Sequence, residues 1–393
     1  MRLIAKFGGT SLADGTRIDR AADSIAEVVE AGHELAVVAS AMGSTTDDLL
    51  DEIQFEASEE DRAEIVSMGE RTSVRMLKAA LDARDIDAIF LEPGHEDWPI
   101  ITDEHGEVDA EETHKRAAAL AERMDGVVPV IAGFIAEDHD GNVTTLGRGG
   151  SDTTAVMLGR EMDADEVVIV TDVEGVMTGD PHAVEGAQNV AKITVDELRN
   201  LSFRGAEVVA PSALAYKTDD LTVRVIHYQH GDLLTGGTDI VGQFENLIDL
   251  REQPLSCVTV AGRAIRNQPG ILAALSTALA EDDINIDGTS SGLDSITFYV
   301  DKTVADRAAE ILHEVVVDSG TLSSVTVEDD LAVIRITGSG LPNQPDVIAA
   351  VINPLAEARV GICDFITSAT SVGVYIDWED REEALDLIQS AID

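Results

Sequence analysis

Short all-apolar runs alternate with stretches of helical periodicity along the first part of the chain. Leu3-Ile4-Ala5 and Leu35–Ala39 read as buried strands, and between them residues 17–31 place Ile18, Ala22, Ile25, Ala26 and Val29 at helical spacing. Val127–Ile131 and Glu166–Val170 predict two more buried strands. Gly149–Glu161 predicts a helix capped by Ser151 or Asp152, and Met68–Ser73 predicts the opening of another. Strands that are apolar throughout, alternating with amphipathic helices, imply a mostly parallel sheet covered by helices on both faces, a three-layer α/β domain over residues 1–245.

The pattern changes between Gly236-Gly237-Thr238 and Gln253-Pro254, and two similar units follow. One runs Cys257–Gly262 (strand), Gly270–Ala280 (helix), Ile284–Asp287 (strand), Ile296–Val300 (strand) and Val304–Val316 (helix). The other runs Leu331–Gly338, Asp346–Ala358, Val360–Asp364, Val372–Ile376 and Arg381–Ile392 in the same order. Two β-α-β-β-α units, over 255–322 and 323–393, read as a duplicated ferredoxin-like module. Such a pair serves equally as a dimerising element or as a ligand sensor, because the Gln268-Pro269-Gly270 turn offers backbone N–H groups at a helix start.

Composition narrows the setting. The 393 residues are 44% hydrophobic, enough for ordinary cores, with a net charge of −48. The lysines are Lys6, Lys78, Lys115, Lys192, Lys217 and Lys302 alone. The acid is spread evenly and the apolar periodicity is continuous, which argues against disorder and for a protein of a high-salt cytoplasm, where screening relieves self-repulsion. No basic patch suits nucleic acid. No apolar run suits a membrane span or a signal peptide, so a cytoplasmic location is expected. Cys257 and Cys363 stand too far apart in sequence for a metal spacing or a disulfide framework. The histidines form no HExxH cluster, and no GxSxG elbow is present.

Three glycine-containing stretches follow strands or open helices. In Lys6-Phe-Gly-Gly-Thr-Ser11 the lysine precedes the glycines, so this is no P-loop; Gly8 and Gly9 let the backbone approach an anion closely, with Lys6 at the ligand edge of a parallel sheet. A glycine-rich turn with a solvated lysine fits that local pattern equally well. Thr144–Thr154 sets Gly147, Arg148, Gly149 and Gly150 before Ser151 and Asp152 at a helix start, which favours an anion held by Arg148 and the helix N-terminus. Val170–Pro181 runs from a strand into an acidic loop whose carboxylates suit a ribose hydroxyl or hydrated magnesium, or simply an acidic surface. Ser40–Asp47 also follows a strand. Glu70, taken alone, reads as a solvated acid on a helix face.

In this order, Lys6–Ser11, Ser40–Gly43 with Thr46-Asp47, Gly69-Glu70-Arg71, Gly133-Phe134, Thr145–Asp152 and Thr171-Asp172-Val173 with Asp180-Pro181 resemble the aspartate kinases of the amino-acid kinase family, and the duplicated modules resemble ACT modules. The resemblance covers nearly the whole chain. It implies phosphoryl transfer from ATP to the side-chain carboxylate of L-aspartate, giving 4-phospho-L-aspartate on the route to lysine, methionine and threonine. It also implies an ACT module inserted in its twin, with a strand near 247–252 completing the second. The nucleophile is already ionised, so positioning and charge cancellation suffice. Lys6 and Asp152 are the implied catalytic residues. Gly8, Gly9 and Ser11 would cradle the phosphates; Thr46, Glu70, Phe134, Arg148, Gly149 and Ser151 would bind aspartate, Glu70 at its ammonium and Arg148 at its α-carboxylate. Thr171, Asp172, Met177, Asp180 and Pro181 would flank the nucleotide, whose Mg2+ would be held by phosphate and water with no protein metal cage.

Two positions depart from the family. Glu207, in Arg204–Val208, stands where an ATP-contacting lysine is usual, and Met177 stands where a tyrosine is usual near the base. For an end-product amino acid such as threonine or lysine, the matching positions are Ile265, Gln268, Gly270, Ile271, Leu272, Asn285, Ile286 and Asp287, with Gly288 where an apolar residue is common. A homodimer or larger homo-oligomer through the ACT modules is implied. A kinase for another carboxylate, such as N-acetylglutamate, and a catalytically weak ACT sensor remain the alternatives at this point. Glu70 bears on the first, since a free ammonium needs a carboxylate partner, and Glu207 motivates the second.

Overall fold

The computed structural model describes residues 1–103, 105–179, 184, 186–202, 208–243, 247–337, 345–368 and 371–392, in two compact units divided after Phe244. The first unit runs β1 (Arg2–Phe7), α1 (Gly15–Glu30), β2 (Glu34–Ala39), α2 (Thr45–Glu52), α3 (Glu59–Asp82), β3 (Ala88–Leu91), β4 (Ile101–Thr102), α4 (Ala110–Ala121), β5 (Val128–Ala132), β6 (Ile135–Asp138) and β7 (Val143–Thr145). It continues with α5 (Gly150–Glu161), β8 (Glu166–Thr171), β9 (Lys192–Thr194), α6 (Val195–Ser202), α7 (Pro211–Leu214), β10 (Thr222–His227) and β11 (Thr238–Val241).

The main sheet has the order β3-β5-β2-β1-β8-β10-β11-β9 and is parallel except where β11 runs against β10. Its central strands are buried from end to end, as the unbroken apolar runs predict. Helices α1 and α3 pack on one face and α4 and α5 on the other, the expected three-layer arrangement. The helix starts are fixed locally: the Asp14 carboxylate accepts from the Thr16 and Arg17 amides, and Ser58 Oγ accepts from the Asp61 amide.

Two expectations in this unit are corrected. Met68–Ser73 does not open a helix; it lies inside α3, which begins after Ser58. Gly69 is tolerated there because a Cβ would come 2.6 Å from the Ala41 Cβ, so the helix can approach the loop after β2 only at a glycine. Neither Ser151 nor Asp152 caps α5. Gly149 does, at φ 73°, and the other two fall in the first turn.

The second unit comprises β12 (Leu247–Leu250), β13 (Leu255–Ala261), α8 (Ala264–Asn267), α9 (Ile271–Glu281), β14 (Gly288–Ser291), β15 (Ser295–Asp301), α10 (Ala305–Ser319), β16 (Ser324–Thr337), α11 (Pro345–Ala358), β17 (Ile362–Thr367), β18 (Ser371–Asp377) and α12 (Arg381–Ile392). Its strands form one antiparallel sheet, β14-β15-β13-β16-β18-β17, with β12 also on β16. The expected strand Ile284–Asp287 is the extended lead-in to β14. The paired residues are Gly-Thr-Ser-Ser, a polar edge with no apolar alternation to betray it.

Strand β16 begins seven residues before Leu331. Its first part pairs with β13 and its second with β18 and β12. The junction is Asp329-Asp330, where Asp330 takes φ 59° and the register shifts, which hid the continuity in the sequence. Although β13 and β16 separate β15 from β18, the Tyr299 and Tyr375 rings stack at 3.9 Å. Three steps of a flat sheet would hold those strands about 14 Å apart, so the sheet folds over at the Asp329-Asp330 bulge. Leu255, Cys257, Leu331 and Val333 fill the fold with the two tyrosines.

Candidate active site

The C-terminal ends of β1, β2 and β5 and the N-terminus of α5 converge on a cleft of about 990 Å³. Lys6, Gly9, Thr46, Glu70, Phe134, Arg148, Gly149, Ser151 and Asp152 all line it, although they span almost 150 residues of sequence. Lys6, penultimate in β1, is buried, and its Nζ lies 2.6 Å from Asp152 Oδ1. The other Asp152 oxygen accepts from the Ala210 amide at 3.1 Å. The Lys6 side chain arches back over Gly8, where a Cβ would stand 3.4 Å from Nζ. Gly9 is required more strictly: its Cβ would come 2.7 Å from the Gly43 carbonyl oxygen and 2.9 Å from that of Ala41, so the loops after β1 and β2 close on each other only without a side chain.

Glu70 is 2% exposed, and its reading as a solvated acid is corrected. It reaches the cleft from the middle of α3. Oε1 accepts from the Ala41 amide at 3.2 Å, while Oε2 is buried with no hydrogen-bond partner. Burial pushes its pKa up from 4.5 to about 7, against the lowering effect of its own amide and that of Ala41. Arg148, exposed on the strap between β7 and α5, has no hydrogen bond or ion pair among the described residues. The cleft therefore offers a carboxyl with one unsatisfied oxygen, an unengaged guanidinium cation and a buried lysine that shares its charge with one aspartate.

The remaining predicted residues lie elsewhere. Gly8 and Ser11 belong to the loop after β1 but not to the cleft wall, and the Ser11 hydroxyl is turned inward, donating to the Val170 carbonyl at 3.0 Å. Thr171 ends β8 and donates to Asp172 Oδ1 at 3.3 Å, Asp172 is exposed and Met177 half-buried. Asp180, Pro181 and the Arg204–Glu207 segment lie outside the described residues. In the second unit Gln268 and Gly270 sit at the α9 start, Ile265 and Ile286 pack against the module core, Ile271 is part of it, and Leu272 and Asn285 are exposed. Asp287 is engaged by Arg251 at 3.5 Å. A Cβ on Gly288 would come 2.6 Å from the Tyr375 hydroxyl, which accounts for glycine there.

Sequence reasoning missed Ala210 and Ser212. Helix α7 is bolted to the first turn of α5 by the Ala210–Asp152 bond, by a 2.8 Å bond between the Thr153 and Ser212 hydroxyls, and by the approach of Ala210 to Gly149. The Ala210-Pro211-Ser212 stretch, with proline at the first helical position, was a readable helix start.

Residues 1–227 match the model of the amino acid kinase family, and residues 258–316 and 326–390 each match an ACT domain. The aspartokinase of Thermus thermophilus is 33% identical over 100% of this chain and 98% of its own length. The chain belongs to the aspartokinases. Among solved structures, aspartate kinase from Synechocystis matches with a TM-score of 0.81 at 29% identity, over 99% of this chain and 69% of that one. Escherichia coli aspartokinase III, 25% identical, matches with a TM-score of 0.55 in complex with aspartate and ADP (100% of both chains) and 0.54 in complex with lysine and aspartate (99% and 98%). An aspartokinase takes ATP as phosphoryl donor and the side-chain carboxylate of L-aspartate as acceptor, and ACT modules are its regulatory part.

Proposed function

We propose that the cleft performs this transfer with the following division of labour. Glu70 receives the substrate ammonium and Arg148 its α-carboxylate, with Thr46, Phe134, Gly149 and Ser151 closing the pocket. The side-chain carboxylate then faces the γ-phosphorus. Its oxygen forms the new P–O bond as the bond to the β-phosphate oxygen breaks and ADP leaves; no proton moves. Two anions must approach each other, and Lys6 offsets that charge. In the free protein Asp152 holds Lys6 in place; when phosphate arrives the lysine has a second anion to serve, and Asp152 keeps it directed into the cleft. Gly8 and Gly9 leave room for the phosphates, and Ser11 acts through the loop shape that its bond to Val170 fixes. Thr171, Asp172, Met177, Asp180 and Pro181 flank the nucleotide, with Mg2+ entering as part of the substrate. The observation that carries this reading is the unpartnered Glu70 oxygen and the unengaged Arg148 guanidinium in the same cleft as Lys6.

The wider assignment rests on composition and pairing. Residues 1–245 would be the catalytic domain, with 255–322 and 323–393 the ACT modules, the second completed by the strand at Leu247–Leu250 that pairs with β16. A charge of −48 with six lysines supports a halophilic, cytoplasmic enzyme of lysine, threonine and methionine synthesis. It would act as a homo-oligomer and respond to lysine or threonine at the ACT modules. Lys6→Ala is the direct test of the site. Turnover is expected to fall by about 10²–10³-fold, the usual effect of removing one group that stabilises transition-state charge. Aspartate affinity measured by calorimetry should change less than about threefold. Lost binding with retained turnover would contradict the role given to Lys6.

A further inference from the structure

Phe134 is the one lining residue of the cleft, among those described, that is an aromatic side chain on a left-handed backbone, at φ 68°. A bulky residue takes that conformation only where the surroundings impose it. Gly133 and Phe134 form the whole connection between β5 of the main sheet and β6 of the small one. The Phe134 amide donates to Thr154 Oγ1 at 3.2 Å, and its carbonyl accepts from the Leu146 amide at 2.8 Å. Leu146 stands two residues before Arg148. Gly150 makes room on the third side, since a Cβ there would lie 3.0 Å from Phe134 Cα. Thr154 itself is fully buried in α5 and does not line the cleft.

We infer that Thr154 is a positioning residue for aspartate recognition: its buried hydroxyl holds Phe134 in the left-handed conformation, and through the Phe134 carbonyl sets the strap that carries Arg148. This rests on the proposed roles of Phe134 and Arg148 as aspartate ligands. The hydroxyl is the only described acceptor for the Phe134 amide. Removing it leaves nothing to hold the strained left-handed backbone of Phe134, which relaxes by a rotation that moves both the phenyl ring and the strap. Lys6 and the loop after β1 are not on this path, so nucleotide handling is spared.

The test uses steady-state kinetics on the full chain with Thr154→Val, Thr154→Ser, Phe134→Gly and Phe134→Gly/Thr154→Val, together with hydrogen exchange at the 134 amide. Thr154→Val is expected to raise the KM for aspartate about tenfold, equivalent to about 1.4 kcal/mol, with the KM for ATP within about twofold. Thr154→Ser should restore the wild-type value. In the Phe134→Gly background, where glycine adopts the left-handed conformation unaided, Thr154→Val should add less than about twofold. The proposal is overturned by a parallel rise in both KM values, by a folded serine variant that does not rescue, or by a valine effect that persists beside Phe134→Gly. Should Thr154→Val fail to fold, the double variant is expected to fold, and an equally unfolded double variant overturns the proposal. Amide exchange at 134, slow in the wild type and fast in Thr154→Val, reads the positioning without reference to activity. A wild type inert toward aspartate would therefore sink the substrate assignment alone, and unchanged exchange would sink the role of Thr154.

Discussion

Burial raises the Glu70 pKa to about 7 in the free protein, so the residue proposed to receive the substrate ammonium is half protonated near neutrality. Only the ionised form pairs with an ammonium. The KM for aspartate is therefore expected to rise as pH falls through about 7, and Glu70→Gln should raise it above that pH, converge with the wild type below it and so flatten the profile; an unchanged profile in the variant would remove Glu70 from the pocket. The same shift has a stability consequence of opposite sense. Between pH 4.5 and about 7 the folded protein keeps a proton that the unfolded chain has lost, so stability falls as pH rises through that window. The shift corresponds to about 3 kcal/mol at most. Glu70→Gln is expected to stabilise the ligand-free protein at pH 8, by somewhat less than that because the buried amide is itself incompletely bonded, and to have no such effect at pH 4. Urea denaturation at the two values checks this. Chain pattern alone could not have found that Glu70 is buried, because an acid inside an acidic helix has no periodic signature; only the approach of Gly69 to Ala41 puts that face of α3 against the loop after β2.

At the scale of elements, α5 organises the site. Its first turn supplies Ser151 and Asp152, its cap Gly149 meets α7, and Thr154 in its second turn holds Phe134. Gly149→Ala confronts the left-handed φ of 73° and a Cβ that would stand 2.3 Å from that of Ala210. It is expected to destabilise the protein by about 1–3 kcal/mol and to lower turnover by displacing Asp152; a variant as stable and active as the wild type would show that α7 is not fastened there. The parallel strands were legible because burial on both faces leaves an unbroken apolar run. Lys6–Ser11 and Thr145–Asp152 were legible because glycine, charge and helix start coincide. What escaped depended on tertiary approach: the true cap of α5, the interior position of Glu70, and the polar edge strand β14. The joining of the two modules by β16 was obscured by its two aspartates, one of them in a left-handed bulge.

For the whole molecule, 75 acidic against 27 basic side chains set the conditions under which the fold is stable. Many cations already serve a carboxylate, as Arg84 does Asp19 and Asp23 and Arg307 does Asp282 and Glu310, so further self-repulsion is left to solvent ions. Raising KCl from about 0.1 M to about 1 M shortens the Debye length from about 10 Å to about 3 Å. The thermal midpoint is expected to climb steeply over this range, and a midpoint indifferent to salt would exclude salt adaptation. Aspartate phosphorylation in this one cleft is the central assignment. It is tested most directly by trapping the acyl phosphate with hydroxylamine in molar salt, offering ATP with L-aspartate, L-glutamate or N-acetyl-L-glutamate in turn. Hydroxamate is expected from L-aspartate, little from L-glutamate and none from N-acetyl-L-glutamate, whose blocked amine would leave Glu70 without a partner. Hydroxamate from N-acetyl-L-glutamate alone, or from none of the three, would contradict it.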